Sequence, residues 1–298
     1  MDHQQVTKIF ESGITSDPGD EIFALVALIQ PDFNLSLLRK IHHDVARFFA
    51  GTYPGFRASN TPYHDLNHTY SVVLATARLL HGLSCSSQEI SVEVIEQALY
   101  SAYFHDIGLL AQTSEQEQSG AIYIQNHEER SIVVMTQYLA GNNCSDILIQ
   151  ECSFVIRYTN ISLNPEDIAF SRQESRLAGY VLGSADILAQ MADRNYLERL
   201  PFLFQELKEG GMQSHDSVVA LMQGTIFFYH NIIVERLENA FANIAQVMQA
   251  HFHRRWQINE NLYYTNITNN LNYLKTILKS CADKPECLKS YLRRIPKS

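Results

Sequence analysis

Four residues in this chain have the types and settings that hold a metal ion: His68, His105, Asp106 and Asp186. In His64-Asp-Leu-Asn-His68 the two imidazoles are four apart, which puts them on one helical face if the helix has begun by Tyr63. From His68 that face continues through Val72, Ala75 and Leu79, so His68 projects along a buried stripe. A hydrogen-bonded core histidine is the rival reading of this segment. In ALYSAYFHDIG the apolar face of Ile95, Ala98, Leu99 and Ala102 extends by seven to His105 and Asp106. The same dipeptide occurs at His43-Asp44, His64-Asp65 and His215-Asp216, so the pair alone means little. Context separates this copy: Asp106 ends an almost uncharged helix, and a buried carboxylate is costly unless paired or bound to metal. A helix-terminal cap is the alternative. Asp186 sits in LAGYVLGSADILAQMA, apolar nearly all round, with Arg176 and Arg194 off the spacings that would pair with it. A distant arginine would be its other explanation, and Asp193 is the fallback ligand.

Two imidazoles and two carboxylates on separate buried helices form a mixed nitrogen and oxygen set. Such a set suits one or two divalent ions of the Zn, Mn, Mg or Fe kind, with a carboxylate able to bridge to the second.

The elements that must position these residues read as helices. Sustained alternation is rare, and the one strand-like stretch, SFVIRYT near residue 155, suits a buried helix equally well. The reading is all-α: a helical N-terminal extension over 1–60, a metal-binding core over 61–210, and C-terminal helices over 211–298 packed on it. Helices are expected around Glu21–Gln30, Leu35–Ala50, Ser217–Ala250 and Asn261–Leu278. At 298 residues and 46% hydrophobic the chain can bury a large core, and 13 Gly and 8 Pro leave few breakers. A net charge of −9 argues against a general nucleic-acid or anionic-membrane surface, so a phosphate ligand would need a local positive centre such as a bound cation. The five cysteines form no C-x-x-C pair, which argues against a disulfide framework or thiolate zinc site. MDHQQVTKIFESG lacks a basic-then-apolar leader, and no uninterrupted apolar stretch approaches bilayer length. A cytoplasmic protein with no membrane partner is the expectation.

Tyr63-His-Asp-Leu-Asn-His68, Phe104-His-Asp-Ile-Gly108 and Ser184-Ala-Asp-Ile187, in this order, resemble the HD superfamily of metal-dependent phosphohydrolases. More narrowly they resemble the catalytic domains of class I cyclic-nucleotide phosphodiesterases, whose opening motif reads Tyr-His-Asn-x-x-His. The resemblance covers roughly residues 60–210 and implies an HD or phosphodiesterase-like helical bundle. It implies that His64 is the general acid and that His68, His105, Asp106 and Asp186 are metal ligands. Asp106 would bridge two metals and so share the catalytic role. Asn126-His-Glu-Glu-Arg-Ser131 falls where many HD proteins place a further ligand, which makes His127 and Glu128 candidates near a second metal, with a surface or helix-start role as the alternative.

The implied reaction is hydrolysis of a small-molecule phosphoester, a phosphodiester or nucleotide-like compound, by metal-activated water. The sequence departs from the pattern in three respects, the first being that no histidine follows closely after His105-Asp106. Asp65 stands where the family has asparagine, and no equivalent of the purine-holding glutamine and aromatic clamp is evident, although Phe202, Phe204, Gln205, Phe227, Phe228 and Tyr229 are available. Two rivals follow from the same ligands: an HD-type di-iron oxygenase, and a non-catalytic ligand sensor or interaction module. Arg157 and Arg194 are candidate cationic helpers for the phosphoryl oxygens. The terminal helices, with Arg254-Arg-Trp256, are candidates for a homodimer contact or a cover over the pocket.

Overall fold

The most uniformly apolar stretches become two helices at the centre of the molecule: α3 (Leu66–Cys85) and α7 (Ser175–Met191) are buried on nearly every side and pack against each other. The computed structural model describes residues 17–212, 215–281 and 285–292. Within them the protein is all-helical, and its one β contact is an isolated bridge between Phe56 and Gln112. The amino-terminal stretch MDHQQVTKIFESG lies outside the described residues.

Around the central pair stand α1 (Gly19–Ile29), α2 (Ser36–Phe49), α4 (Val92–Phe104), α5 (His127–Gly141), α6 (Asp146–Ile156), α8 (Tyr196–Glu209), α9 (Val218–Phe228), α10 (Met248–Trp256), α11 (Leu262–Cys281) and α12 (Pro285–Tyr291). Side-chain caps open several of them. Asp65 accepts from the His68 amide at 2.8 Å, and Ser91, Ser145 and Ser217 cap α4, α6 and α9. Each cap is worth about 1 kcal/mol.

Three expectations change. Helix α3 starts at Leu66 rather than by Tyr63, because Asp65 takes the N-cap position, so His64 lies ahead of the helix and not on one face with His68. Ser217–Ala250 is not one helix. After α9 come two π-helical turns, Tyr229–Ile233 and Arg236–Ala240, and then Ala242 and Asn243 at positive φ turn the chain. The break buries Phe241 against Tyr158 and Gly183 of α7, where a Cβ in place of the glycine would meet the Phe241 ring. Finally, one disulfide joins Cys281 to Cys287 and ties α12 back to α11, while Cys85, Cys144 and Cys152 are free. SFVIRYT forms the end of α6 and a 3-10 turn.

Described helices from both ends of the chain pack on the core. Helices α1 and α10 lie against α3, and Arg255 of the RRW segment pairs with Glu21 of α1 at 2.8 Å. The run Val218–Ala240 is long and apolar enough to cross a membrane by length and composition alone, and only 28% of its most apolar window is buried.

Candidate metal centre

His68 enters the core from the first turn of α3, one turn after the Asp65 cap. His105 closes the C-terminal end of α4, and Asp106 follows it into a 3-10 turn. Asp186 comes from the middle of α7. His68 Nε2 and His105 Nε2 are 3.4 Å apart. Asp106 Oδ2 lies 3.3 and 3.2 Å from these two nitrogens, and Asp186 Oδ1 lies 3.3 and 3.8 Å from them. A cation about 2.0–2.2 Å from nitrogen and oxygen ligands sets neighbouring ligand atoms about 3–3.5 Å apart, which is the spacing of this group. Asp106 Oδ2 and Asp186 Oδ1 are buried atoms with no hydrogen-bond partner, a costly state that a bound cation would relieve. The buried His68, His105 and Asp106 group can hold a metal ion.

Two of the rings are held from behind by backbone carbonyls. His105 Nδ1 meets the Ala102 carbonyl at 2.8 Å and must donate to it, which leaves Nε2 bare toward the cluster. His127 Nδ1 likewise donates to the Ile124 carbonyl at 2.7 Å, and its Nε2 stands 3.5 Å from Asp106 Oδ1. Asp106 therefore turns one oxygen to His68 and His105 and the other to His127. Glu128 lies at the back of the His127 ring, 3.3 Å from Nδ1, and burial raises its carboxyl pKa. The fallback ligand Asp193 caps the Asn195 amide and faces Arg199 instead of the imidazoles.

The turn after Asp106 is locked onto α5. Ser131 Oγ donates to the His105 carbonyl at 2.6 Å and accepts from the Gly108 amide at 2.9 Å, while Arg130 Nε reaches the Gly108 carbonyl at 2.7 Å. Any side chain at Gly108 would run into the backbone of His127 and Ser131, so this glycine lets the start of α5 close on the site.

Electrostatics follow the geometry. Burial works against charge on His68, yet Asp106 and Asp186 raise its pKa to about 10. Burial alone would raise the Asp106 carboxyl, but His105 and His68 beside it hold it well below the usual carboxylate range. A concentrated negative potential in a buried pocket favours a cation.

His64 is set at the edge of this group, its ring 5.7 Å from His68 and 6.4 Å from His127. Its partner went unread in the sequence. Glu206 of α8, 1% exposed, accepts from His64 Nδ1 at 2.6 Å and from the Tyr63 amide at 2.6 Å. The hydrogen bond to Glu206 is thereby made through Nδ1. Of the two candidate cationic helpers, Arg157 is committed to Glu129. The basic residue beside the site is Arg199, also on α8, which grips Asp65 and the Tyr63 carbonyl.

No curated protein matches the chain. A family model described as Npun_R2479-like matches residues 53–269, well over half of the sequence and every residue of the cluster. The chain belongs to the Npun_R2479-like family.

Proposed function

We propose that this protein is a metal-dependent phosphohydrolase whose ion or ions are held by His68, His105, Asp106 and Asp186, with His127 facing a second position across Asp106. Zn, Mn, Mg and Fe all fit the mixed donor set. When bound, such an ion lowers the pKa of a coordinated water toward about 7 and neutralises phosphoryl oxygens.

The observation that carries the reading is the His64–Glu206 pair beside the cluster. Glu206 takes the hydrogen bond from Nδ1, which leaves Nε2 as the ring nitrogen that would pass a proton to a leaving alkoxide. A centre that only bound a ligand, or only activated oxygen, has no need of that oriented acid. The resemblance to HD phosphohydrolases supports the same chemistry, and a small phosphoester, diester or nucleotide-like, is the substrate class it favours. The acidic chain, with Arg199 already engaged, leaves neutralisation of the phosphoryl group to the metal.

Metal-loaded protein assayed on bis(p-nitrophenyl) phosphate and on nucleotide mono- and diesters tests this. His64→Ala is expected to lower kcat about 10²–10⁴-fold with the metal still bound. Unchanged turnover in that variant would rule out the acid role. Iron retained after anaerobic purification, with oxygen uptake and no hydrolysis, would favour the oxidative alternative.

A further inference from the structure

The segment Tyr63–Asp65 carries the proposed acid and leads into the first metal ligand, yet it has no helix of its own to hold it. It is held from one side by two residues seven apart on α8, Arg199 and Glu206, a spacing of two turns that puts both on one face. Glu206 takes the Tyr63 amide and His64. Arg199 donates to the Tyr63 carbonyl and reaches both oxygens of Asp65 at 3.2 and 3.4 Å. Asp65 in turn caps α3 through the His68 amide at 2.8 Å. The Arg199 side chain is 11% exposed and that of Asp65 29%, so the guanidinium end of the ion pair is largely shielded from water while the carboxylate keeps part of its hydration.

We infer that Arg199 is the positioning residue of the metal centre. Through Asp65 it sets where α3 begins, and hence the direction in which His68 enters the cluster; through the Tyr63 carbonyl it sets the place of His64. This also gives a reason for aspartate at position 65. An asparagine could cap the helix, but only a carboxylate both caps it and pairs with a guanidinium. The inference rests on reading the cluster as a metal centre.

The test is cobalt(II) titration of the full chain, followed by visible absorption. Arg199→Ala is expected to weaken cobalt binding by about ten- to a hundredfold and to change the intensity of the ligand-field bands, the size of loss typical when a partner behind a ligand is removed. Arg199→Lys should restore only part of the affinity, because an ammonium cannot span the Tyr63 carbonyl and both Asp65 oxygens. Arg236 is the control: it clamps the carbonyls of Asn160, Ile161 and Leu163. Arg236→Ala should leave the cobalt spectrum unchanged.

If Arg199→Ala does not fold, Asp65→Asn keeps a capping oxygen, loses the ion pair and should show the same direction of loss. Wild-type affinity in either variant, or an equal loss in Arg236→Ala, overturns the inference. A protein that binds cobalt, responds at Arg199 and hydrolyses no phosphoester would sink the hydrolytic reading and uphold this one.

Discussion

Helix α3 carries two buried histidines into two different histidine clusters, and the difference between them is instructive. His68, near its start, meets His105, Asp106 and Asp186. His81, near its end, meets His251 Nδ1 to Nδ1 at 3.1 Å, with Cys85 Sγ 3.5 Å away. Both histidines are 5–7% exposed, so burial does not separate them. Their charged neighbours do. Asp106 and Asp186 raise the His68 pKa to about 10 against the pull of burial, whereas burial and then Arg255 and Arg254 push His81 down to about 4. His251 is driven lower still, by burial first and then by Arg78, His81 and Arg255. One cluster has a potential that attracts a cation. The other repels even a proton and settles as a neutral pair, one ring donating and the other accepting. Imidazoles close together are thus not enough for a metal centre; the carboxylates decide.

The comparison is broken most directly by removing those carboxylates. Asp106→Ala takes away the one residue that faces His68, His105 and His127 together, and is expected to reduce metal content, measured by plasma emission spectroscopy after metal-replete purification, to background. His81→Ala should leave metal content at the wild-type level. Equal loss in both variants would mean that the two clusters do not differ as described. Next in size is Glu206→Gln, which keeps the shape but has one acceptor oxygen in place of two, so it can still hold the Tyr63 amide while its amide nitrogen cannot accept from His64 Nδ1. Metal content should stay constant while hydrolysis falls about 10–100-fold, less than for His64→Ala because the imidazole is still present. Full activity in Glu206→Gln would assign Glu206 to holding the Tyr63 amide alone.

These residues were unequally legible in the sequence. His68, His105 and Asp106 were visible because each extends an apolar stripe of its own helix, and Asp186 because it interrupts an apolar one; a local pattern announces a buried polar group. Glu206 and Arg199 give no such signal. They lie 142 residues from His64 and 134 from Asp65, on a helix that also carries Glu198, Lys208 and Glu209, and only the packing of α8 brings them in. The start of α3 is legible: Asp65 stands immediately before the apolar-periodic run that opens at Leu66, an N-cap pattern that argues against a helix from Tyr63. The break at Phe241–Asn243 was hidden for the opposite reason. No glycine or proline marks it, and the burial of Phe241 outweighs the cost of two residues at positive φ.

The smallest predicted effect concerns the second cluster and its response to acid. Unfolded, His81 and His251 would take protons near pH 6.5. Folded, His81 does so only near 4 and His251 lower still. Between those values the unfolded chain binds more protons, so this contribution to stability is complete above about pH 6.5 and is lost as pH falls toward 4. His42, also lowered by burial, adds to the same slope. His68 runs the other way in the metal-free protein: its contribution is fully present below about 6.5 and disappears only as pH rises toward 10, so it does not interfere. The carboxylates that ion pairs hold low, such as Glu115 and Glu129, lose their contribution only below about pH 4.5. In the window from 6.5 to 4.5 the loss of stability on acidification therefore comes from the lowered histidines, while the carboxyls that burial raises, Glu96, Glu128 and Asp193, act in the opposite sense and are the same in both proteins compared below. His81→Leu alone would leave the His251 Nδ1 without its partner, a cost of about 1–3 kcal/mol that would obscure the slope. Replacing both, His81→Leu with His251→Leu, removes donor and acceptor together. Urea midpoints measured across that window should fall less steeply in the double variant than in the wild type, with His42 supplying what slope remains. Parallel slopes would mean that the pair already takes up a proton in the folded protein, and the contrast with the metal centre would then rest on geometry alone.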